Sequence, residues 1–352
     1  MLGTTARGDS PMDRPQTVEQ VLKWVEEGRI PLAKAFNYLV ELEKTGGPGI
    51  QAPGNGRAAV TCEGTGAAHA ARAAQLTRAA RVEEAMQELE VLIGLDGVKR
   101  LVRELYAFVE IQRRRAQHFL ATEPLVLHMI FKGNPGTGKT TVARILGKMF
   151  REMGVLQKGH LVEVERADLV GEYIGHTAQK TREQLRRAMG GILFIDEAYS
   201  LARGGEKDFG KEAIDCLVKA MEDYKEDIIL ILAGYRREME FFLRTNPGLR
   251  SRFPIQIDFP DYSREELLAI ADLMLRRRQY RLSEEARRYL AEALDEKGRV
   301  DAENSGNARL VRNIIEKAIR RQAVRLVQRG ETGRDELILI TEEDMVEALH
   351  GP

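Results

Sequence analysis

The sequence predicts an α/β fold, a parallel sheet sandwiched by helices, followed by an all-helical domain and preceded by a helical hairpin. From Leu125 to Phe259, short β-branched or aliphatic runs alternate with helical stretches, as expected of strands buried on both faces. Beyond Pro260 only helical periods follow, and no further strand is expected. A glycine-rich turn, GNPGTGKTT, joins the first apolar run to its helix.

Residues 17–28 open the chain as a helix. Thr17 and Gln20 form a capping box, and Val18, Val21, Leu22 and Val25 recur on one face. Leu32, Ala35, Phe36 and Leu39 mark a second helix, so residues 1–44 read as a hairpin unit, too small to fold securely alone. Residues 45–74 turn to Gly, Pro and Ala with few large apolar groups and read as a flexible linker. From residue 75 a helix leads into IGLDGVK, and another runs through LVRELYAFVEIQRRRAQHFL. The strand runs LVLHMIF, LVEVE, ILFID, DIILILA and PIQIDF then enclose helices after Lys139, around 177–189 and around 211–223. This α/β domain closes at residue 260. Residues 261–352, with REELLAIADLMLRRR, EEARRYLAEALDEKG and ARLVRNIIEKAIRRQAVRLV, form the helical domain.

Composition narrows the partners. The 54 Lys+Arg against 54 Asp+Glu argue against a surface built wholly for nucleic acid or anionic membrane. Two cysteines, Cys62 and Cys216, make neither a disulfide framework nor a zinc site, which fits a reducing cytoplasm. The longest apolar run, Ile228 to Ala233, is far short of a bilayer span, and no export signal is expected at the N-terminus.

The chemistry concentrates in two places. Gly133, Asn134, Pro135, Gly136, Thr137, Gly138, Lys139, Thr140 and Thr141 follow a strand and open a helix. In that setting the turn presents backbone N–H groups and a helix N-terminus to phosphate, and Lys139 reaches the β and γ oxygens of ATP. The Thr140 hydroxyl suits Mg²⁺. The run ILFIDE, whose Asp196 stands 57 positions beyond Lys139, ends a buried strand in two acids. Burying them is costly unless they emerge into a site. Asp196 there completes the Mg²⁺ shell, and Glu197 orients and activates water.

These elements resemble the AAA+ ATPases. YIGHTAQKT, AMGGILFIDEAYSL, LAGY, NPGLRSRFP and GNARLVRNIIEKAIRRQA are similar more narrowly to the CbxX/CfxQ branch, over about residues 90–345. The resemblance implies a homo-oligomeric ring, usually hexameric, with ATP between neighbouring subunits. An arginine crosses from one subunit to the next, Arg252 before Arg250. Arg309 matches the sensor-2 position, and Gly306 and Asn307 shape the turn that aims it. Ile93, Gly94 and Leu95 resemble the segment against adenine. Tyr173, Ile174 and Gly175 match the loop that faces the central pore and grips an extended polypeptide client, and Arg203 to Lys211 form a second polar, glycine-rich loop there. One departure stands out: the strand before Tyr235 ends in Leu232, Ala233 and Gly234, where relatives carry a polar sensor-1 residue, so either Tyr235 or Arg236 replaces it or Glu197 manages without it.

The expected function is ATP-driven remodelling of a protein client, in sporulation or, alternatively, in reactivating a red-type rubisco, since both belong to the branch. A nucleic-acid motor is the third reading. It draws on Arg309, Arg312, Lys317, Arg320, Arg321, Arg325 and Arg329, on Arg113 to Arg115 and on Arg276 to Arg278, although no recognised nucleic-acid motif accompanies them.

Overall fold

The computed structural model describes residues 20, 23–24, 78–122, 125–173, 175–203, 208–300, 306–330 and 333–350, the side chains of 247 and 296–300 excepted. The expected hairpin and linker, apart from residues 20 and 23–24, lie outside this set, as do Ile174 and residues 204–207 of the second loop. The chain falls into two compact units, Met1–Glu84 and Ala85–Pro352. In the first, residues 78–84 are helical. The second holds the sheet and the trailing helices.

Five parallel strands, β1 (Met129–Gly133), β2 (Leu161–Val164), β3 (Ile192–Ile195), β4 (Ile229–Gly234) and β5 (Ile255–Phe259), lie in the order β2-β3-β4-β1-β5. β1, β3 and β4 are buried at every position, which is why they read as unbroken apolar runs rather than alternating ones. The leading run LVLHMIF is strand only from Met129 onward. Register sets Met129 beside Ile231 and Ile255, and Ile195 beside Leu232. The C-terminal ends of β1, β3 and β4 therefore meet at one edge, where α/β sheets place their ligands.

Helices cover both faces. α1 (Asp96–Gln117) precedes β1, and α2 (Lys139–Glu152) follows the glycine-rich turn, burying Val142, Leu146, Met149 and Phe150. α3 (Arg166–Leu169) and α4 (His176–Ala188) flank the YIG loop. A 3-10 turn (Ala198–Ala202) and α5 (Gly210–Asp223) follow β3. Between β4 and β5, where the sequence announces no helix, α6 (Arg236–Thr245) and α7 (Pro247–Arg250) stand. Met239, Phe242 and Leu243 are α6's one-face signal, buried in the same core as Leu193 and Leu230.

The trailing domain consists of α8 (Arg264–Arg277), α9 (Glu284–Val300), α10 (Asn307–Arg329), α11 (Arg334–Ile338) and α12 (Glu342–His350). Ser263 caps α8 in a capping box with Glu266. Ala271, Leu290, Val311, Ile315 and Met345 are among the side chains that close its separate core. Two short strands, β6 (Arg281–Leu282) and β7 (Leu339–Ile340), pair in parallel inside it. At two residues each they are below what periodicity can reveal, hence the expectation of none. A buried ion pair pins α12 to α10: Arg325 Nε lies 2.7 Å from Asp344 Oδ1. Burial alone would raise the Asp344 carboxyl, but hydrogen bonds from Arg325 and Thr341 hold it below the ordinary carboxylate range.

Candidate active site

A cleft of about 400 Å³ opens at that sheet edge, between the α/β layers and the helical domain. From the glycine-rich turn come Gly133, Pro135, Gly136, Gly138, Lys139, Thr140 and Thr141, and from the end of β3 come Asp196 and Glu197. α10 contributes Arg309 and Arg312. Asn134 and Thr137 excepted, the sequence-predicted phosphate, acid and sensor-2 residues thus share one cavity.

The turn is held rigid by its own backbone. Lys139 Nζ donates to the carbonyls of Gly133 and Asn134, both at 2.8 Å. Thr137, fully buried, donates its hydroxyl to the Asn134 carbonyl at 2.7 Å and so is committed to the loop's shape. Burial lowers the Lys139 ammonium from its ordinary value, and the Asp196 carboxylate opposes this. Gly136 takes φ 74°, and a Cβ on it would come within 2.5 Å of the Gly306 carbonyl. Only glycine fits where α10 begins, and there Ala308 N donates to the Gly136 carbonyl at 3.2 Å.

A polar clasp reinforces this junction. The Asn134 amide donates to both oxygens of Asp261, at 3.1 and 2.9 Å. The Asn307 amide donates to Asp261 Oδ1 at 2.7 Å, while its own oxygen accepts from Tyr262 N at 3.0 Å. Tyr262 donates its hydroxyl to the Thr137 carbonyl at 3.1 Å, and burial pushes that phenol up to about 12. Sequence reasoning misses Asp261 and Tyr262 as site residues, since their role depends on a contact across more than a hundred positions.

The acids sit on a sharp corner. Glu197 takes φ 46°, left-handed for a residue with a side chain, and its N–H donates to Asp196 Oδ1 at 3.0 Å. Such strain marks sites where a side chain must be aimed. Thr140 and Asp196 offer hard oxygen donors in the same cleft, the set that suits Mg²⁺ alongside phosphate and water.

Of the expected adenine segment, Ile93 lines the cleft together with Leu92, Ile270, Leu273, Met274 and Arg277, the last four from α8. Gly94 abuts Glu266, and Leu95 is buried under the turn near Gly138. Of the sensor-1 alternatives, Tyr235 lines the cleft. Arg236 turns away, within 3.6 Å of Glu240 and 3.9 Å of Asp258.

Two expected groups stand apart. Arg252 lies outside the cleft lining, where its guanidinium meets Glu222 and donates to the Gly248 carbonyl at 2.8 Å; Arg250 is exposed nearby. Tyr173 is 66% exposed, its ring edge-on to His176 with centroids 5.4 Å apart, and Gly175 caps the following helix.

A phosphate loop, an acid pair at the next strand but one and a helical lid on the loop define an ATP-hydrolysing enzyme of the AAA class. The model of the ATPase family associated with various cellular activities matches residues 129–261, and the AAA lid domain matches residues 263–351. Stage V sporulation protein K of Bacillus subtilis is 56% identical over 265 residues, 75% of this chain and 82% of that protein. Protein CbxX of Cupriavidus necator is 46% identical over 258 residues, 72% of this chain and 81% of the other. The chloroplastic ribulose bisphosphate carboxylase/oxygenase activase of Cyanidioschyzon merolae is 42% identical over 272 residues, 76% and 92% of the two chains. The chain belongs to the CbxX/CfxQ family of AAA ATPases.

Proposed function

We propose that the chain assembles into a six-membered ring and uses ATP hydrolysis to remodel a protein client, in the process of spore formation. The observation that carries this reading is a division of labour. Lys139, Asp196, Glu197 and Arg309 converge on one cleft, while Arg252 and Tyr173 lie outside it. In this assignment Lys139 and the turn's N–H groups hold the triphosphate, and Thr140 and Asp196 hold Mg²⁺, which neutralises phosphate charge when bound. Glu197 takes the proton of the attacking water, Arg309 contacts the γ-phosphate from the lid, and Arg252 reaches the γ-phosphate held by the neighbouring copy. Tyr173, with two-thirds of its surface free, grips polypeptide by ring contact that needs no particular sequence.

The sporulation setting draws on the 56% identity to a stage V sporulation protein. A second reading, an activase for red-type rubisco, has the 42% identity to a rubisco activase behind it. The nucleic-acid motor loses ground, because several of its arginines have other partners. Arg309, Arg312 and Arg277 face the nucleotide cleft, Arg325 is bound to Asp344, Arg278 meets Glu316, and Arg114 meets Glu110.

The test is a trap. Lys139→Ala is expected to lose ATP binding, whereas Glu197→Gln binds ATP and turns over negligibly. With ATP, rings of Glu197→Gln should retain a protein from native lysate that Glu197→Gln/Tyr173→Ala rings release. Equal retention by both would return Tyr173 to a structural role. Brisk hydrolysis by Glu197→Gln would remove the water-activating assignment.

A further inference from the structure

The apolar end of the cleft is built on a strained turn. Residues 85–90 are helical and α1 begins at Asp96; between them Gly94 and Leu95 both take left-handed backbone, with φ 63° and 59°. For Leu95, which carries a side chain, that conformation is costly and persists only where its surroundings impose it. Lys99, near the start of α1 and only 8% exposed, supplies the grip. Its Nζ donates to the carbonyl of Leu92 at 2.6 Å and to that of Glu90 at 3.2 Å. Arg103, one turn further along α1, donates from Nε to the Glu90 carboxylate at 2.9 Å. An ammonium withdrawn from water is costly unless its donors find acceptors, and the carbonyls of the turn provide them. Lys99 and the turn therefore fix each other.

We propose that Lys99 is the positioning residue for the nucleobase: by tying the Glu90 and Leu92 carbonyls to α1, it sets the place of Leu92 and Ile93 at the apolar end of the cleft. The inference rests on that end as the base site and goes beyond it by naming what sets the slot's width. Leu92 and Ile93 come from the turn, whereas Ile270, Leu273 and Met274, which line the same end, come from α8. A purine has two flat faces, and aliphatic walls grip both only when their separation is fixed. The phosphate turn has its own supports, among them the Thr137 hydroxyl on the Asn134 carbonyl, and Lys99 bonds to none of them. Loss of the Lys99 ammonium should therefore loosen the hold on the base and spare the hold on phosphate.

Lys99→Met keeps the aliphatic stem and removes the donors. The full-length variant is titrated with a fluorescent ADP, which is then displaced by inorganic tripolyphosphate, a ligand without a base. ADP affinity should fall roughly tenfold, the scale of one hydrogen bond from a charged group, while tripolyphosphate affinity stays that of the natural chain. Lys99→Gln keeps a shorter donor and should lose less. No loss for ADP, or an equal loss for both ligands, overturns the proposal. Failure of both variants to fold, read from their melting, also overturns it and makes Lys99 a folding residue. Ile93→Asp separates the proposal from the reading beneath it, since a charge against the base should weaken ADP and spare tripolyphosphate. If Ile93→Asp leaves ADP binding intact, the base lies elsewhere and the proposal falls with that reading. If Ile93→Asp weakens ADP and Lys99→Met does not, Lys99 alone is reassigned.

Discussion

His128, at the start of the sheet core, is buried to 2% exposure, and its Nδ1 accepts from Leu230 N at 3.1 Å. Burial lowers its pKa to about 4 from 6.5. The unfolded chain therefore binds a proton first as pH falls, so stability is whole above 6.5 and is lost between 6.5 and about 4, by up to about 3 kcal/mol. Urea titrations should show His128→Gln losing that part of the acid sensitivity; an unchanged slope would show that carboxylates alone set it. The residues of the phosphate loop and the acid pair were legible because each motif is local: nine consecutive residues around Lys139, and two acids ending an apolar run. His128 and Asp261 were not. Their meaning comes from partners 102 and 127 positions away that a linear reading cannot pair.

The clasp between loop and lid works at the level of elements. Asp261 accepts from Asn134 on the turn and Asn307 at the start of α10, and Asn307 is only 2% exposed. Asp261→Ala takes from the buried Asn307 amide its shorter acceptor and leaves it the Pro135 carbonyl at 3.4 Å, which should cost about 2 kcal/mol. Amide exchange is expected to quicken first in residues 306–312; protection there equal to the natural chain would rule the clasp out as a fastener. Strands and the long helices of this architecture were readable from periodicity, with bounds moved by a few residues. α6 went unread because its apolar face, Met239, Phe242 and Leu243, is short and follows a strand directly. β6 and β7 owe their pairing to the lid's own core, not to any pattern in two residues.

In the proposed ring, Arg252, which meets Glu222 within its own chain, carries a measurable expectation. An arginine acting on a neighbour's nucleotide contributes about 10³ or more in rate. Arg252→Ala should therefore bind ATP with ordinary affinity and hydrolyse it at least that much more slowly. Mixing it with Glu197→Gln copies, which keep the arginine but not the acid, should restore part of the turnover. If the mixture stays as slow as its components, the arginine is not shared between copies. The proposed ring and client were read only through resemblance, because neither would leave a mark on the interior of one chain.

The lid is seated directly on the glycine-rich turn, Gly136 against Gly306 and Ala308. Its first turn is thus a lever whose fulcrum is the binding loop itself. A small rotation about that point would swing the far end of the 23-residue α10 through a wider arc, since a rigid rod of that length is about 34 Å long. A tilt begun at the turn would thus register far from it without a chain of intermediaries.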